Sequence, residues 1–174
     1  MNKQIDKALV FATAAHAAVG QVRKYTGEPY IVHPIEVASI VKSVPHTEAM
    51  ICAALLHDVL EDTKVTVDLL RQEFGDEVTD LVLWLTKVST EEDGNRAYRK
   101  ELDREYLRQA PCDAQTVKLA DLIANSDSIV EHDPDFAVVF MEELELLLET
   151  LWGGDTTLWT LAYGKLMEYK DGKI

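Results

Sequence analysis

Three short segments of the chain combine metal-ligand side chains with apolar, helix-like sequence. They contain His33 just before Pro34, the adjacent pair His57-Asp58 in AALLHDVLEDT, and Asp121 in VKLADLIAN. An imidazole or a carboxylate in such a setting is costly unless it finds a partner, and a bound ion is one such partner. Together the segments offer two imidazoles and two carboxylates. This mixed N/O set suits manganese, iron or zinc and leaves positions open for water.

The His57-Asp58 pair constrains how an ion could be held. Neighbouring residues diverge by roughly 100° around a helix axis, so both side chains can bind one ion only from the end or edge of a helix. Glu61 follows His57 by one turn and Asp62 follows Asp58 by one turn, where they can act on water. Two alternatives remain open: an internal ion pair, and two acids that merely end a helix. Acidic residues at a helix C-terminus oppose the helix dipole, which favours a functional role.

The other candidate ligands have structural alternatives as well. His33 on its own is better explained as a core histidine bonded to a carbonyl group, because this is the more common role of a lone buried histidine. Asp121 shares its helix face with Asn125 one turn later, and Lys118 lies nearby one turn earlier. His16 has no such neighbours in the sequence, and we expect it to have a structural or surface role.

The elements that must position these residues are helices almost throughout. Apolar positions recur at helical spacing, and no alternating run is long enough to predict a sheet. Polar and proline-containing segments separate the helices, and one of the helices ends before Gly75. The expected helices are 3–19, 34–43, 48–60 after Thr47, one from Thr66 to before Gly75, 76–87, 96–109, 113–130, 134–151 and 156–169. We therefore predict one all-α domain, a single helical bundle over residues 1–174.

Composition narrows the function classes. The chain has 174 residues and a formal net charge of -14, which argues against binding nucleic acid, because that requires a basic surface. A phosphorylated small molecule remains compatible if a metal or a few basic residues supply positive charge. We see no signal peptide and no run of about 18 apolar residues that would span a membrane. Two cysteines without a C-x-x-C spacing fit free thiols in the cytoplasm.

In combination the three segments resemble a known family. RKYTGEPYIVHPIEVA, ALLHDVLEDT and TVKLADLIAN resemble, in order and spacing, the motifs of HD-superfamily phosphohydrolases, and among them the hydrolase domain of the RelA/SpoT homologues. The resemblance covers most of residues 1–130, so the helices within 134–170 are additional. It implies an HD-domain bundle whose usual ion is Mn²⁺, although other divalent transition metals remain open. The implied metal ligands are His33, His57, Asp58 and Asp121.

The resemblance also implies roles for the neighbouring side chains. Glu61 and Asp62 match the pair that orients or deprotonates the attacking water. Arg23 matches an arginine that stacks on the guanine base. Asn125 matches a residue at the sugar and phosphate end of the nucleotide. Lys24 and Lys118 are candidates for phosphate contacts.

The implied activity is that of a small alarmone hydrolase of the stringent response, which removes the 3′-pyrophosphate from ppGpp or pppGpp. Two alternatives stay open. An adenosine alarmone or a dinucleotide phosphate is a possible substrate, since Leu122 and Ala124 depart from the family's residues beside the last ligand. A non-catalytic nucleotide-binding HD domain is the other alternative. The expected partner is a small-molecule nucleotide, and the sequence does not indicate an oligomeric state.

Overall fold

The computed structural model describes residues 3–172, and its architecture is all-α, which confirms the expected fold class. Within those residues Val22 and Pro29 form an isolated antiparallel bridge and no longer strand occurs. No helix in the described part is long and apolar enough to cross a membrane. A 3₁₀ turn at Glu91–Asp93 lies in the predicted loop. The α-helices are α1 (Lys3–Ala18), α2 (Val32–Val41), α3 (Glu48–Leu56), α4 (Val59–Asp62), α5 (Val67–Leu85), α6 (Arg96–Arg108), α7 (Cys112–His132), α8 (Pro134–Leu148) and α9 (Thr156–Lys170).

The helices group into two compact units, one ending at Thr86 and the other beginning at Lys87. In the first unit α3 is central, and α1, α2 and α5 pack against it. Every residue of α3 from Ala49 to Leu56 is buried, as expected of a helix that is apolar on all sides. The Thr47 side chain accepts a hydrogen bond from the Met50 amide and fixes the start of α3. The single domain over residues 1–174 stays a prediction.

The predicted continuous helix over 48–60 is wrong. α3 ends at Leu56, His57 and Asp58 form a turn, and α4 begins at Val59. Asp58 has φ −97° and ψ −4°, away from the values of a regular helix. The break has a chemical consequence, because it lets two adjacent side chains meet that would diverge around an uninterrupted helix.

Gly75 interrupts α5 as the sequence indicates, with φ 79° and ψ 177°, so the expected boundary between two helices becomes a kink inside one element. This backbone conformation favours glycine because a side chain there would be strained. His132, an exposed residue, lies at the end of α7, since that helix continues past residue 130.

In the second unit α7 is central, and α8 and α9 pack against it. The turn before α9 is attached to α7 by the Gly153 amide, which donates to Gln115 Oε1 over 2.9 Å. Gly154 approaches α7 so closely that a Cβ atom there would lie 2.7 Å from Leu119 Cδ1 and 3.2 Å from the Gln115 carbonyl carbon. A larger residue would require the Leu119 side chain to move and the Gln115 backbone to shift by a few tenths of an ångström, so glycine allows the turn before α9 to lie close against α7.

Candidate metal centre

The break between α3 and α4 brings His57 and Asp58 into direct contact, with His57 Nε2 at 3.0 Å from Asp58 Oδ2. His57 Nδ1 lies 2.8 Å from the Ala54 carbonyl oxygen. A carbonyl only accepts hydrogen bonds, so Nδ1 carries a hydrogen, and in its neutral form the ring presents a lone pair at Nε2. In that form the lone pair faces a carboxylate oxygen of Asp58. A cation or a proton between the two atoms removes the repulsion, and this arrangement is typical of a histidine that binds a metal.

His33 adds a second imidazole to this pair. α2 begins at Val32 rather than at Pro34, which places His33 in its first turn. His33 Nε2 lies 3.8 Å from Asp58 Oδ2, and one donor atom from each of His33, His57 and Asp58 lies within 4.8 Å of the other two. Both histidines are buried, whereas Asp58 is partly open to solvent. These three side chains fit a divalent ion with positions left for water.

Tyr30 orients the carboxylate of this cluster. Its hydroxyl group donates to Asp58 Oδ2 over 2.5 Å, and its ring lies 5.9 Å from that of His33 between centroids. Outer partners of this kind hold a ligand side chain in the orientation that an ion requires. The contact of Tyr30 with Asp58 was not predicted from the sequence.

Glu61 and Asp62 lie on α4, one turn after the pair. The Asp62 amide donates to the Asp58 carbonyl over 2.9 Å, and Asp62 Oδ2 accepts a hydrogen bond of 2.8 Å from Gln21 Nε2. Asp62 keeps a solvent-exposed surface, yet the protein atoms packed around its carboxyl group desolvate it and raise its pKa. The Gln21 hydrogen bond opposes that rise, while the charges of Asp58 and Glu61 add to it. A raised pKa makes this carboxylate a stronger proton acceptor.

Asp121 lies in the second unit, on α7, and is 7% exposed. Lys118 Nζ donates to its Oδ2 over 2.8 Å, and Asn125 Nδ2 donates to its Oδ1 over 2.8 Å. Lys118 and Asn125 thus hold the Asp121 carboxylate in place. The participation of Asp121 in the same ligand set as the three residues of the first unit stays a prediction, as do the substrate contacts of Lys118 and Asn125.

Arg23 and Lys24 lie in the loop between α1 and α2. The Arg23 amide donates to the Glu28 carbonyl over 2.9 Å, and the Gly27 amide donates to the Arg23 carbonyl over 3.0 Å, so the loop closes on itself. Within residues 3–172 the half-buried Arg23 side chain forms no hydrogen bond or ion pair. Lys24 is exposed and packs its ammonium group 4.8 Å from the centre of the Tyr25 ring. The Arg23 guanidinium is therefore available to a ligand.

His16 and Gln21 were not predicted from the sequence to be neighbours of this site. His16 is 1% exposed, and its ring centroid lies 4.7 Å from that of Tyr30. A signal for its burial was present, because His16 follows the buried Ala8 and Ala12 at four-residue intervals on the core face of α1. Its contact with Gln21 had no such signal.

Known proteins resemble this chain along most of its length. A family model described as HD domain matches residues 8–144. A guanosine-3′,5′-bis(diphosphate) 3′-pyrophosphohydrolase of Aquifex aeolicus is 34% identical over 128 residues, which cover 71% of this chain and 17% of that protein. A GTP pyrophosphokinase of Myxococcus xanthus is 48% identical over 85 residues, which cover 49% of this chain and 11% of that protein. The chain thus spans less than a fifth of these relatives.

A solved structure resembles the chain over nearly its full length. It is described as a metazoan ortholog of SpoT that hydrolyzes ppGpp, and it superposes with a TM-score of 0.85 at 25% sequence identity. The match covers 97% of this chain and 97% of that one. The likeness agrees with the helical architecture expected from the motifs.

Proposed function

The chain belongs to the HD domain family, and from this we propose that it is a metal-dependent hydrolase that removes the 3′-pyrophosphate from ppGpp and pppGpp. The observation that carries the proposal is the cluster of His33, His57 and Asp58, with the Asp62 carboxylate one turn away. The names of the relatives include both a hydrolase and a pyrophosphokinase, and the chain spans a small part of each. The ligand cluster and the adjacent acids favour hydrolysis.

The ion would be Mn²⁺, and the residues that would hold it are His33, His57, Asp58 and Asp121. When bound, it supplies Lewis acidity toward the pyrophosphate group and toward water. Glu61 and Asp62 orient the attacking water and accept its proton. The water oxygen bonds to the phosphorus next to the ribose, and the bond from this phosphorus to the 3′-oxygen breaks. The 3′-oxygen takes up a proton, and the products are GDP or GTP and pyrophosphate.

Because the chain carries a net charge of -14, binding of the nucleotide is left to the ion and a few basic side chains. Arg23 stacks on the guanine base, Lys24 and Lys118 contact phosphates, and Asn125 contacts the sugar and phosphate end. Leu122 and Ala124, on which the alternative substrates rested, are both buried within the second unit and offer no polar side-chain atom to a base. We place the activity in the cytoplasm, where free thiols such as Cys52 and Cys112 persist.

Arg23→Ala should raise KM for a guanosine substrate by roughly 10-fold while changing kcat much less, because stacking on the base contributes equally before and during the reaction. Steady-state kinetics with ppGpp measures both parameters. Arg108→Ala, which removes an exposed arginine of α6, is the control and should leave KM unchanged. An unchanged KM in Arg23→Ala would show that this arginine does not contact the base.

A substrate panel tests the proposed function itself. Protein purified without chelator is analysed for bound metals and then supplied with ppGpp, pppGpp, an adenosine alarmone and a dinucleotide phosphate. We expect a bound divalent ion, pyrophosphate release from the guanosine alarmones, and loss of turnover after treatment with EDTA that added Mn²⁺ restores. Preferential turnover of another nucleotide would replace the guanosine alarmones as the proposed substrate. Nucleotide binding without product would favour the non-catalytic alternative.

A further inference from the structure

A buried histidine, His16, is linked through Gln21 to Asp62 of the acid pair Glu61 and Asp62. His16 is 1% exposed, and its Nδ1 atom lies 2.6 Å from Gln21 Oε1. The other end of the same carboxamide, Gln21 Nε2, donates to Asp62 Oδ2 over 2.8 Å. One glutamine side chain thus joins an interior imidazole on α1 to a carboxylate on α4.

The direction of these hydrogen bonds follows from the chemistry of the three groups. An ionised carboxylate only accepts, so Gln21 must present its NH₂ group to Asp62. Its carbonyl oxygen Oε1 then faces His16, and His16 must donate from Nδ1. The reverse orientation of the amide would place two oxygens against each other at Asp62 and is excluded for that reason. The neutral tautomer of His16 is therefore the one protonated at Nδ1.

The backbone holds the two residues of this pair together. α1 ends in a Schellman motif, in which the Gly20 amide donates to the Ala17 carbonyl over 3.0 Å and the Gln21 amide donates to the His16 carbonyl over 3.1 Å. Gly20 adopts φ 67°, the left-handed conformation that this motif requires. Gln21 is consequently fixed against His16 through both its backbone and its side chain.

His16 is an unfavourable choice for a residue that only fills space. It continues a stripe of α1 formed by the buried Ala8 and Ala12. Its Nε2 atom is buried and has no hydrogen-bond partner among residues 3–172. A buried polar atom in that state destabilises the fold, whereas an apolar ring would pack without this cost. The hydrogen bond between His16 Nδ1 and Gln21 Oε1 therefore accounts for a histidine at this position.

We propose that His16 and Gln21 are positioning residues for the reaction, and that they act through Asp62. His16 orients the Gln21 carboxamide, and Gln21 holds Oδ2 of Asp62, which fixes the rotamer of the carboxylate and leaves Oδ1 to take the proton of water. This inference rests on the proposed hydrolysis. It adds two residues that contact neither the substrate nor the ion.

A double-mutant cycle tests the proposal. Gln21→Met keeps the length of the side chain and removes both hydrogen bonds, and it should lower kcat by about 10- to 100-fold with little change in KM or in bound metal, as is usual for losing an orienting partner. In the Asp62→Asn background the same substitution should lower kcat by less than about 2-fold further, because its effect passes through the missing carboxylate. His16→Phe, which keeps a ring in the core, should reproduce the Gln21→Met effect.

The controls separate positioning from folding. Gln4→Met makes the same exchange near the start of α1, where the glutamine donates to the Phe74 carbonyl, and it should retain wild-type kcat. Equal effects of Gln21→Met with and without the Asp62 carboxylate would overturn the proposal, as would wild-type kcat in Gln21→Met. Loss of the bound metal in Gln21→Met would also overturn it, since the pair would then maintain the metal cluster instead.

A second measurement does not depend on turnover. Long-range ¹H–¹⁵N NMR spectra of the wild-type protein should show His16 protonated at Nδ1 and unprotonated at Nε2, and Gln21→Met should shift the resonances of this ring. The opposite tautomer in the wild type would overturn the hydrogen-bond direction on which the proposal depends. Failure of the proposed function is distinct, because it appears as a wild-type protein that releases no pyrophosphate.

Discussion

The His57→Ala and Asp58→Ala variants are expected to lose both the bound metal and hydrolysis. Each change removes one donor from a cluster whose atoms lie within 4.8 Å of one another, and it leaves the remaining ligands with an incomplete coordination sphere. We expect turnover to fall by more than about 100-fold, since loss of an outer partner alone costs 10- to 100-fold. Elemental analysis and pyrophosphate release measure the two effects.

His46→Ala is the matched control for these variants. His46 also directs Nδ1 at a backbone carbonyl, that of Val44 at 2.7 Å, but it is an exposed residue outside the cluster. It should keep both metal and activity. Stoichiometric metal in His57→Ala would contradict the assignment of the ligand set.

The second large effect is expected from Glu61→Gln and Asp62→Asn. If these acids orient and deprotonate water, their amide variants should retain the metal and nearly normal substrate affinity, while kcat falls by about 100-fold or more. The amides are close in shape to the acids, so packing should change little. Single-turnover rates, measured beside equilibrium binding of the nucleotide, separate the chemical step from affinity.

An adjacent acid pair elsewhere in the chain provides the control. Glu91 and Glu92 are exposed in the 3₁₀ turn of the second unit, and their double amide variant should retain wild-type kcat. Normal turnover in the Glu61→Gln/Asp62→Asn double variant would remove these acids from the mechanism and leave the ion as the catalytic element.

The stability of Asp62→Asn checks that its loss of activity is not a loss of folding. The pKa of Asp62 is raised in the folded protein, so the folded state keeps its proton to a higher pH than the unfolded chain does. The carboxylate therefore lowers stability as the pH rises through that interval. In metal-free protein we expect the Tm of Asp62→Asn to equal or slightly exceed that of the wild type above this interval, and to lose any advantage below the ordinary carboxyl pKa. The effect is small because Asp62 is solvent-exposed.

Helical periodicity and the motif spacing predicted the fold and the main candidate residues of the site. The divergence of adjacent residues around a helix also predicted that His57 and Asp58 could share an ion only from the end or edge of a helix, and the two residues lie between the end of α3 and the start of α4. The break itself was not predictable. Apolar residues continue on both sides of it, from Ala49 to Leu56 and again at Val59, so the pattern contains no signal for an end.

Contacts between distant segments also lay beyond what the sequence could predict. Contacts within one helix were predictable: Lys118 and Asn125 share a helix with Asp121, and their spacing correctly indicated a common face. Gln21 and Asp62 are 41 residues apart, and no periodicity relates a loop residue to a later helix. Tyr30 and Asp58 meet in the same way across 28 residues.

The left-handed turn at Gly20 has an evolutionary consequence. Apart from Gly20 itself and its two chain neighbours, no heavy atom of residues 3–172 lies within 4 Å of the place where a Cβ would be. The obstacle to another residue is therefore the backbone conformation, which costs an L-amino acid about 1 kcal/mol or more. If Gln21 must stay against His16 for catalysis, natural variation at position 20 should be confined to glycine and, at some cost, asparagine. Selection on the chemistry would then act on a residue that has no side chain.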